Sequence, residues 1–275
     1  MATPIGNLGD ITLRALAILA GVEAVACEDT RVSGALLSRY GLRKELMACH
    51  DHNEEAVAAK ILTRIEGGAA VALVSDAGLP LISDPGFRLV LACREAGVPV
   101  TVLPGACAAV TALAGAGLAT DVFLFAGFLS AKSAARRKEL ERLRDVPGTL
   151  IFYEAPQRVA AMLGDCAQAL GEQRPAAVAR ELTKLFEETL RGSLGELVRM
   201  YDECEVETRG EFVILVGAAP RDGAQESAVD LEALLGRALQ SHSLRDAVDA
   251  VSAATGLRRS EVYQCALRIS GKGER

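Results

Sequence analysis

The strongest constraint on the fold is a short apolar run that ends in two acidic turns. Val71-Ala-Leu-Val74 is followed at once by Ser75-Asp-Ala-Gly78, and a second turn, Ser83-Asp-Pro-Gly86, begins eight residues later. An apolar run closed by turn residues is typical of a buried strand. In open α/β sheets, ligands bind at the loops beyond the carboxyl ends of the strands. Residues 71–86 therefore predict a strand whose exit loop belongs to a small-molecule site.

The rest of the first hundred residues alternates apolar strands with helical patterns. This alternation predicts right-handed βαβ units around a parallel sheet. We expect strands over 22–26, 46–49, 70–74 and 98–103, and helices over 12–20, 33–40, 54–66 and 87–96.

After residue 117 the pattern changes to that of a second α/β unit with a mixed sheet. Strands are expected over 123–128, 149–153, 176–179 and 211–216, and helices over 133–144, 157–170 and 193–204. A polar linker then leads to a helix, a turn at Gly256 and a second helix, which is the layout of a helix-turn-helix pair. We therefore predict a first α/β domain (1–117), a second (118–220) and a helical tail (228–275).

Composition excludes several classes of protein. Half of the 275 residues are hydrophobic and 24% are charged, as in soluble globular proteins. The apolar stretches are too short to span a bilayer, and no signal-peptide pattern opens the chain. Seven scattered cysteines without a C-x-x-C pair argue against disulfides or zinc and favour a reducing cytoplasm. A net charge of −6 argues against coating nucleic acid by bulk charge.

Four loops that contain Gly or Pro lie where a cofactor could bind: 3–10, 75–86, 104–109 and 209–211. Each of them is also compatible with an ordinary turn after a strand. Phosphate-binding fingerprints are missing from the sequence. There is no G-x-x-x-x-G-K-[ST], and Gly115-x-Gly117 lacks the third glycine of a dinucleotide motif. A cofactor bound through adenosine or a carboxylate is therefore favoured, which fits S-adenosylmethionine and its amino-acid tail.

Several charged clusters at predicted strand exits allow two interpretations. His50-Asp-His-Asn-Glu54 contains metal-ligand types, but a helix cap or a substrate contact is the favoured interpretation. The run from Arg180 to Glu188 is either a solvated helix start or a cluster that orients substrate. The same two interpretations apply to Glu154, which could form an ion pair with Arg158 four residues later.

Two basic segments are either solvated helix faces or contacts for nucleic acid. Residues 131–144 hold six basic and two acidic side chains, and the tail has two adjacent arginines where recognition helices contact nucleic acid. The candidate RNA-binding residues are Lys132, Arg136, Arg137, Lys138, Arg258 and Arg259.

Taken in order, these motifs resemble those of the tetrapyrrole-methylase superfamily of S-adenosylmethionine-dependent methyltransferases, and most closely the family of bacterial small-subunit ribosomal RNA 2′-O-methyltransferases I. The likeness covers nearly the whole chain. It rests on Thr3-Pro-Ile-Gly-Asn-Leu-Gly-Asp-Ile-Thr12, Glu28-Asp-Thr-Arg31, His50-Asp-His-Asn-Glu54, Val74-Ser-Asp-Ala-Gly78, Ser83-Asp-Pro-Gly86, Leu103-Pro-Gly105, Gly127-Phe-Leu129, Ala131-Lys-Ser133, Ile151-Phe-Tyr-Glu154, Arg180-Glu-Leu-Thr-Lys184 and Arg209-Gly-Glu211.

The sequence departs from the family pattern at three places. Leu79 stands where Thr is common, and Ser130 where Pro is frequent. The family pattern also places the apolar residues of a first strand before Thr3. We therefore expect the N-terminal sheet to lack that strand and the chain start to be assigned too late.

The resemblance implies two α/β domains with S-adenosylmethionine in the cleft between them, usually in a homodimer, and no metal. It implies methyl transfer to the ribose 2′-hydroxyl of a cytidine in the decoding region of 16S ribosomal RNA in the small subunit. The cofactor contacts that it implies are Leu8, Asp76, Ala77, Gly78, Leu79, Ala106, Cys107, Ala108, Tyr153, Ala179, Arg180, Gly210 and Glu211.

Methyl transfer to a hydroxyl depends on positioning and is helped by a base or a charged orienting group, but the sequence does not single out one base. Holding the oxygen within about 3–3.5 Å of the methyl carbon supplies much of the rate, and a base assists the hydroxyl. The candidate bases are Glu28, Asp29, Glu154, Glu181 and Lys184, the last only if its pKa is depressed. Otherwise Lys184, together with Arg31 and Arg180, is a candidate for orienting ribose or phosphate. Two rival functions are a sibling methylase acting on a corrin or porphyrin precursor, and a non-catalytic RNA-binding protein.

Overall fold

The computed structural model describes residues 1–50, 53–203, 206–219, 231–240, 242–255 and 259–269. Its contacts divide the chain into two compact units, Met1–Ala219 and Pro220–Arg275. Among the residues described, no helix combines the length and apolarity that crossing a membrane requires.

The first sheet of the larger unit is parallel. It contains β1 (Ala24–Cys27), β2 (Glu45–Ala48) and β3 (Val71–Val74) in the order β2-β1-β3. Around it lie α1 (Leu13–Gly21), α2 (Thr30–Arg39), α3 (Glu54–Glu66) and α4 (Phe87–Glu95). Alternate side chains of a strand point to opposite sides of the sheet. In the central strand, both sets are buried. Val25 and Cys27 pack in one apolar cluster, and Ala26 packs in another with residues of α3 and α4.

The second sheet is mixed. Its strands are β4 (Phe123–Gly127), β5 (Thr149–Glu154), β6 (Pro175–Arg180), β7 (Glu188–Ser193) and β8 (Phe212–Val216), in the order β4-β5-β8-β6-β7. Only β4 and β5 pair in parallel; the other pairs are antiparallel. Its helices are α5 (Ala108–Ala116), α6 (Ser133–Leu143), α7 (Val159–Leu170) and α8 (Leu194–Asp202). The first of these packs on one face of the sheet and the other three on the opposite face.

The predicted α/β architecture, with a parallel first sheet and a mixed second sheet, is confirmed. Among the α-helices and strands of the larger unit, α5 and β7 had not been predicted, and the tail has one helix, Leu231–Leu239, more than the predicted pair. Moreover α5 lies before the predicted boundary at Gly117 but packs on the second sheet.

The strand predicted over 98–103 is wrong, because that segment has no hydrogen-bonded strand beside it among the described residues. The free edge of the β3 strand is contacted instead by the first residues of the chain. The Met1 amino group donates to the Leu73 carbonyl at 2.8 Å, and Thr3 pairs with Gly78 as an isolated bridge.

The smaller unit is helical, as predicted. It contains α9 (Leu231–Leu239), α10 (Leu244–Thr255) and α11 (Arg259–Ile269). Leu235, Val248 and Val262 are fully buried in its small core. The predicted turn at Gly256 lies outside the described residues.

Candidate functional site

A cavity of about 370 Å³ lies in the larger unit, where loops from both sheets meet. That volume is in the range of small-molecule sites. Its walls come from the β3 exit loop, the start of α5, the end of β5 and the start of β8. Non-glycine residues with positive φ occur at Leu81, Ser83, Glu181 and Thr183, all in two loops at this site. Backbone strain of this kind concentrates at functional sites.

Part of the predicted site lines the cavity. From the implied cofactor contacts and the candidate bases, the cavity brings together Ala77, Gly78, Leu79, Cys107, Ala108, Tyr153, Glu154, Gly210 and Glu211. All of the predicted loops except 3–10 are represented by more than one residue. From 3–10 only Ile5 contributes, and the sequence had not singled it out.

Five implied cofactor contacts do not line the cavity: Leu8, Asp76, Ala106, Ala179 and Arg180. The Leu8 carbonyl accepts from the Tyr40 hydroxyl at 2.5 Å. Asp76 Oδ1 accepts the Asp29 backbone N–H at 3.0 Å, so it anchors the start of α2. Ala179 is buried inside β6. The Arg180 guanidinium pairs with Glu188 at 3.3 Å.

The β3 exit loop is held in place by hydrogen bonds to the chain start. The Thr3 N–H donates to the Gly78 carbonyl at 2.8 Å, and the Gly78 N–H donates back to Thr3 at 3.1 Å. The Thr3 hydroxyl also donates to the Ser75 carbonyl at 3.1 Å. Gly78 has φ +85°, a conformation that favours glycine. This wall therefore presents a fixed backbone to the cavity.

Tyr153 fixes the wall formed by α5. Its hydroxyl accepts the Ala109 N–H at 3.1 Å, and its ring makes edge contacts with Phe125 and Phe128 at centroid distances of 4.8 and 5.7 Å. Burial raises the pKa of Tyr153 to about 12. The phenol is therefore neutral at physiological pH and serves as a polar anchor inside an apolar wall.

An ionic cluster closes the opposite side. The Glu181 N–H donates to the Glu211 carbonyl at 2.9 Å. The Glu181 carboxylate accepts from Lys184 Nζ at 2.8 Å and from the Glu211 N–H at 2.9 Å. Burial lowers the pKa of Lys184, but its hydrogen bonds to both carboxylates outweigh burial and raise it. Lys184 therefore stays protonated, which leaves the orienting role and not that of a base among the two alternatives for this residue.

The same cluster touches the first loop of the chain. The Asn7 N–H donates to the Thr183 hydroxyl at 3.1 Å. A Cβ on Gly6 would lie 2.5 Å from Lys184 Cγ, so the two loops pack closely there.

The carboxylates of two further catalytic candidates, Asp29 and Glu154, form ion pairs with neighbouring arginines. Arg31, 89% exposed, pairs with Asp29 at 2.6 Å and lowers the pKa of Asp29 to about 2, which makes that carboxylate a weak base. The Glu154 side chain is fully buried. Its Oε1 accepts from the Ala155 N–H at 2.8 Å, and both of its oxygens contact the Arg158 guanidinium at 3.0 and 3.1 Å.

The cavity also contains residues that the sequence had not assigned to the site: Ile5, Ile82, Ser83, Asp84, Phe128, Ala155, Pro156, Leu182, Phe212 and Val213. Asp84 is the chemically informative one, because it adds a carboxylate. A signal was present, since Asp84 lies in the second acidic turn of the 71–86 segment.

The first basic segment is partly buried. Arg136 is only 2% exposed, and its Nη2 lies 2.5 Å from the Asp165 carboxylate. The prediction that Arg136 contacts RNA is therefore wrong. Lys132 and Lys138 are exposed, and Arg137 is half-buried with a hydrogen bond to Gln168. In the tail, Arg259 is exposed and pairs with Asp249 at 2.5 Å, whereas Arg258 lies outside the described residues.

The His50–Glu54 motif has a structural role where it is described. Glu54 is buried, and its Oε1 accepts the N–H groups of Arg88 and Leu89, so it caps the start of α4. Asn53 occupies the N-cap position of α3. Asp51 and His52 lie outside the described residues.

Comparison with known proteins identifies relatives over the whole chain. The family model for Tetrapyrrole (Corrin/Porphyrin) Methylases matches residues 2–198, and that for the RsmI C-terminal HTH domain matches residues 225–270. Ribosomal RNA small subunit methyltransferase I of Mesorhizobium japonicum is 44% identical, over 100% of this chain and 93% of its own length. The protein of the same name from Escherichia coli O157:H7 is 45% identical, over 98% and 94%.

A solved structure shows the same fold. Uroporphyrin-III C-methyltransferase from Thermus thermophilus, in complex with S-adenosylhomocysteine, has a TM-score of 0.54 at 20% identity. The match covers 78% of this chain and 94% of that one.

Proposed function

Because this chain belongs to the tetrapyrrole methylases, and within them to the ribosomal RNA small subunit methyltransferase I family, we propose that it methylates 16S ribosomal RNA with S-adenosylmethionine. The acceptor that we propose is the ribose 2′-hydroxyl of a cytidine in the decoding region. The observation that carries the proposal is near-full-length identity of 44–45% to two such methyltransferases, together with a cavity built from the family's motif loops.

The cavity suits the cofactor in size and in charge. It is lined by apolar side chains and by three carboxylates, those of Asp84, Glu154 and Glu211, and none of the described lining residues is Lys, Arg or His. Glu154 and Glu211 are paired with Arg158 and Lys184, so Asp84 is the lining carboxylate without an ion pair among the described residues. Its negative charge in a low-dielectric cleft favours a cationic ligand over a phosphate. When bound, S-adenosylmethionine supplies a methyl group on a positively charged sulfur that needs no metal activation.

The residues of the chain would bind and orient. Gly78 and Gly210, with φ of +85° and +111°, let the backbone approach the ligand without a side chain between them. Tyr153 and the apolar residues beside it exclude water from one wall, and the Glu181–Lys184 pair holds the opposite loop closed. Such fixed geometry is the main requirement for in-line transfer to a hydroxyl.

RNA contact would come from exposed basic side chains outside the cavity. Lys132, Arg137, Lys138 and Arg259 remain the candidates that the structure leaves accessible. Each lost phosphate contact lowers the slope of log affinity against log salt concentration by about 0.7–0.9. The family resemblance further supports a cytoplasmic location and a homodimer. Analytical ultracentrifugation of the purified protein would test the homodimer.

The deciding experiment is methyl transfer from labelled S-adenosylmethionine to small ribosomal subunits that lack this methylation. We expect label in 2′-O-methylcytidine at one position, mapped by nuclease digestion and nucleoside analysis. Large subunits serve as the negative control. Label on a base or on another nucleoside would contradict the proposed acceptor. Turnover of a corrin or porphyrin precursor without RNA methylation would favour the sibling methylase, and no turnover would favour the non-catalytic alternative.

A further inference from the structure

We propose that the carboxylate of Asp84 accepts the proton that the ribose hydroxyl loses during methyl transfer. This role rests on the proposed function and adds to it a residue that the sequence motifs had not assigned. A proton acceptor must lie at the ligand and must keep a lone pair available for the hydroxyl.

The other two cavity carboxylates do not meet that requirement. Glu154 is fully buried, and its oxygens are engaged by Arg158 and by the Ala155 N–H. Glu211 is 72% exposed, and its Oε2 pairs with Lys184 Nζ at 3.2 Å. Asp84, by contrast, is half-buried in the cavity wall, and no ion pair involving it is found among the described residues.

The backbone around Asp84 is tightly fixed. Ser83 has φ +67°, and a Cβ on Gly127 would lie 3.1 Å from the Ser83 hydroxyl. At the other end of the turn, Gly86 has φ +124°, and a Cβ there would lie 2.7 Å from the Leu73 side chain. The turn that carries Asp84 is therefore constrained before the substrate binds, which favours the fixed geometry that a positioned base requires.

The groups that face Asp84 make it a better proton acceptor than an ordinary aspartate. Burial raises the pKa of Asp84, a hydrogen bond from Ser75 lowers it, and the nearby charge of Asp76 raises it. Together these effects raise the pKa of Asp84. The other titratable groups of the described lining are all acidic or neutral: Cys107, Tyr153, Glu154 and Glu211.

The proposed methyl transfer with Asp84 as proton acceptor conserves atoms and electrons. The hydroxyl oxygen forms the new bond to the methyl carbon as the bond from that carbon to sulfur breaks, and the electron pair of the broken bond stays on sulfur. The hydroxyl proton passes to an Oδ of Asp84 and from there to solvent. Nothing is oxidised or reduced, and no further reactant is consumed.

The test compares Asp84→Asn with Asp121→Asn, the same chemical change at an exposed loop position outside the cavity. Single-turnover methylation of small subunits should slow by about 10²–10⁴-fold in Asp84→Asn, the usual contribution of a positioned base. The control should match the wild type. S-adenosylhomocysteine lacks the positive charge on sulfur that the Asp84 carboxylate would favour in the cofactor. Calorimetry should therefore show that Asp84→Asn keeps its affinity for S-adenosylhomocysteine. Asp84→Glu, which keeps a carboxylate, should be faster than Asp84→Asn.

Two further readouts separate proton transfer from mere support of the fold. The wild-type rate should fall as pH drops through the raised pKa of Asp84, and that acidic limb should vanish in Asp84→Asn. Carboxyl ¹³C NMR of the unliganded protein should show Asp84 titrating above its ordinary value of 3.8. A titration at or below 3.8 would overturn the assignment even if the Asn variant did not fold.

The outcomes distinguish this inference from the proposed function. If the wild type methylates RNA and Asp84→Asn does so at a similar rate, the role of Asp84 is overturned and the function stands. If Asp84→Asn loses affinity for S-adenosylhomocysteine, Asp84 is a cofactor contact and the proton-transfer role is also overturned. If the wild type does not methylate RNA at all, both fail together.

Discussion

Replacing Arg136 by Ala should destabilise the protein strongly and leave its RNA binding nearly unchanged. The Arg136 side chain is 3% exposed, with Nη2 and Nε at 2.5 and 2.8 Å from Asp165 Oδ2. Ser133 donates to the other Asp165 oxygen at 2.8 Å. Without the guanidinium, a buried carboxylate remains with one hydroxyl donor and with Arg137 at 4.0 Å.

The expected loss follows from burial of an uncompensated charge. Removing one partner of a buried ion pair typically costs about 3–5 kcal/mol. Since whole domains are stable by about 5–15 kcal/mol, the variant would lose a large fraction of its stability. Replacing both partners together, as Arg136→Met with Asp165→Leu, removes the buried charge and should recover most of that loss.

Urea unfolding followed by far-ultraviolet circular dichroism measures the free energy of unfolding for the wild type, Arg136→Ala and the double variant. The matched control is Arg137→Ala, the neighbouring and half-exposed arginine, which should change stability by less than about 1 kcal/mol. RNA affinity is then measured against salt concentration for each folded variant. We expect Arg137→Ala, and not the double variant, to flatten the salt dependence.

The opposite pattern would refute this reasoning. If Arg136→Ala unfolded like the wild type and lost a phosphate contact in the salt titration, the guanidinium would be accessible in solution. If the double variant were as unstable as Arg136→Ala, lost packing and not the buried charge would explain the cost.

Three further predictions concern the cavity and its rim. Gly210→Ala should weaken S-adenosylhomocysteine binding measured by calorimetry, because a Cβ there would lie 2.6 Å from Glu181 Cγ at a φ of +111°. Tyr153→Phe should lower the free energy of unfolding by about 1–3 kcal/mol, because a backbone N–H of α5 loses its acceptor. The pKa of Asp29, held at about 2 chiefly by hydrogen bonding to Arg31, should move back toward 3.8 in Arg31→Gln, measured by carboxyl NMR. Because the folded-state pKa is lowered, the stabilisation from this pair is present above pH 3.8 and is lost as pH falls toward 2.

The first two of these predictions have a matched control. Gly164→Ala adds a methyl group where no atom lies within 4 Å, so it should not weaken cofactor binding. Tyr263→Phe removes an exposed hydroxyl and should leave stability unchanged. A Tyr153→Phe variant as stable as the wild type would contradict the anchoring role of the hydroxyl. An unshifted Asp29 carboxyl in Arg31→Gln would contradict the proposed cause of its low pKa.

Most of the fold could be predicted because burial left a clear pattern in the sequence. The central strands are short apolar runs bounded by turn residues, and β1, β5 and β8 are the most buried strands. The two missed elements of the larger unit lack such a pattern. α5 is a run of small apolar residues with little difference between its faces. β7 is an edge strand of half-exposed polar residues, for which alternation with a core is weak.

The sequence pattern predicted the loops of the site, whereas the cofactor contacts came from the family resemblance and only part of them line the cavity. Turn residues after apolar runs locate the β3 exit, the start of α5 and the β5 exit, because the chain must turn there. Which side chains enter the cavity depends on backbone angles that sequence pattern does not fix, such as the positive φ of Leu81 and Ser83. Ion-pair partners distant in sequence, such as Arg136 and Asp165, are equally inaccessible to pattern reasoning.

Under the proposed function, the charges around the cavity serve two ligands of opposite sign. A cationic cofactor is favoured by carboxylates inside the cavity, but the same field repels the phosphates of RNA. Two of the basic side chains that the sequence offered are already paired with carboxylates, Lys184 with Glu181 and Arg31 with Asp29, so they contribute little positive charge for RNA. The exposed basic side chains of Lys132 and Lys138 do not line the cavity. The phosphate contacts are therefore expected away from the cavity, so that a single nucleotide reaches the cofactor while its neighbours stay on the basic surface.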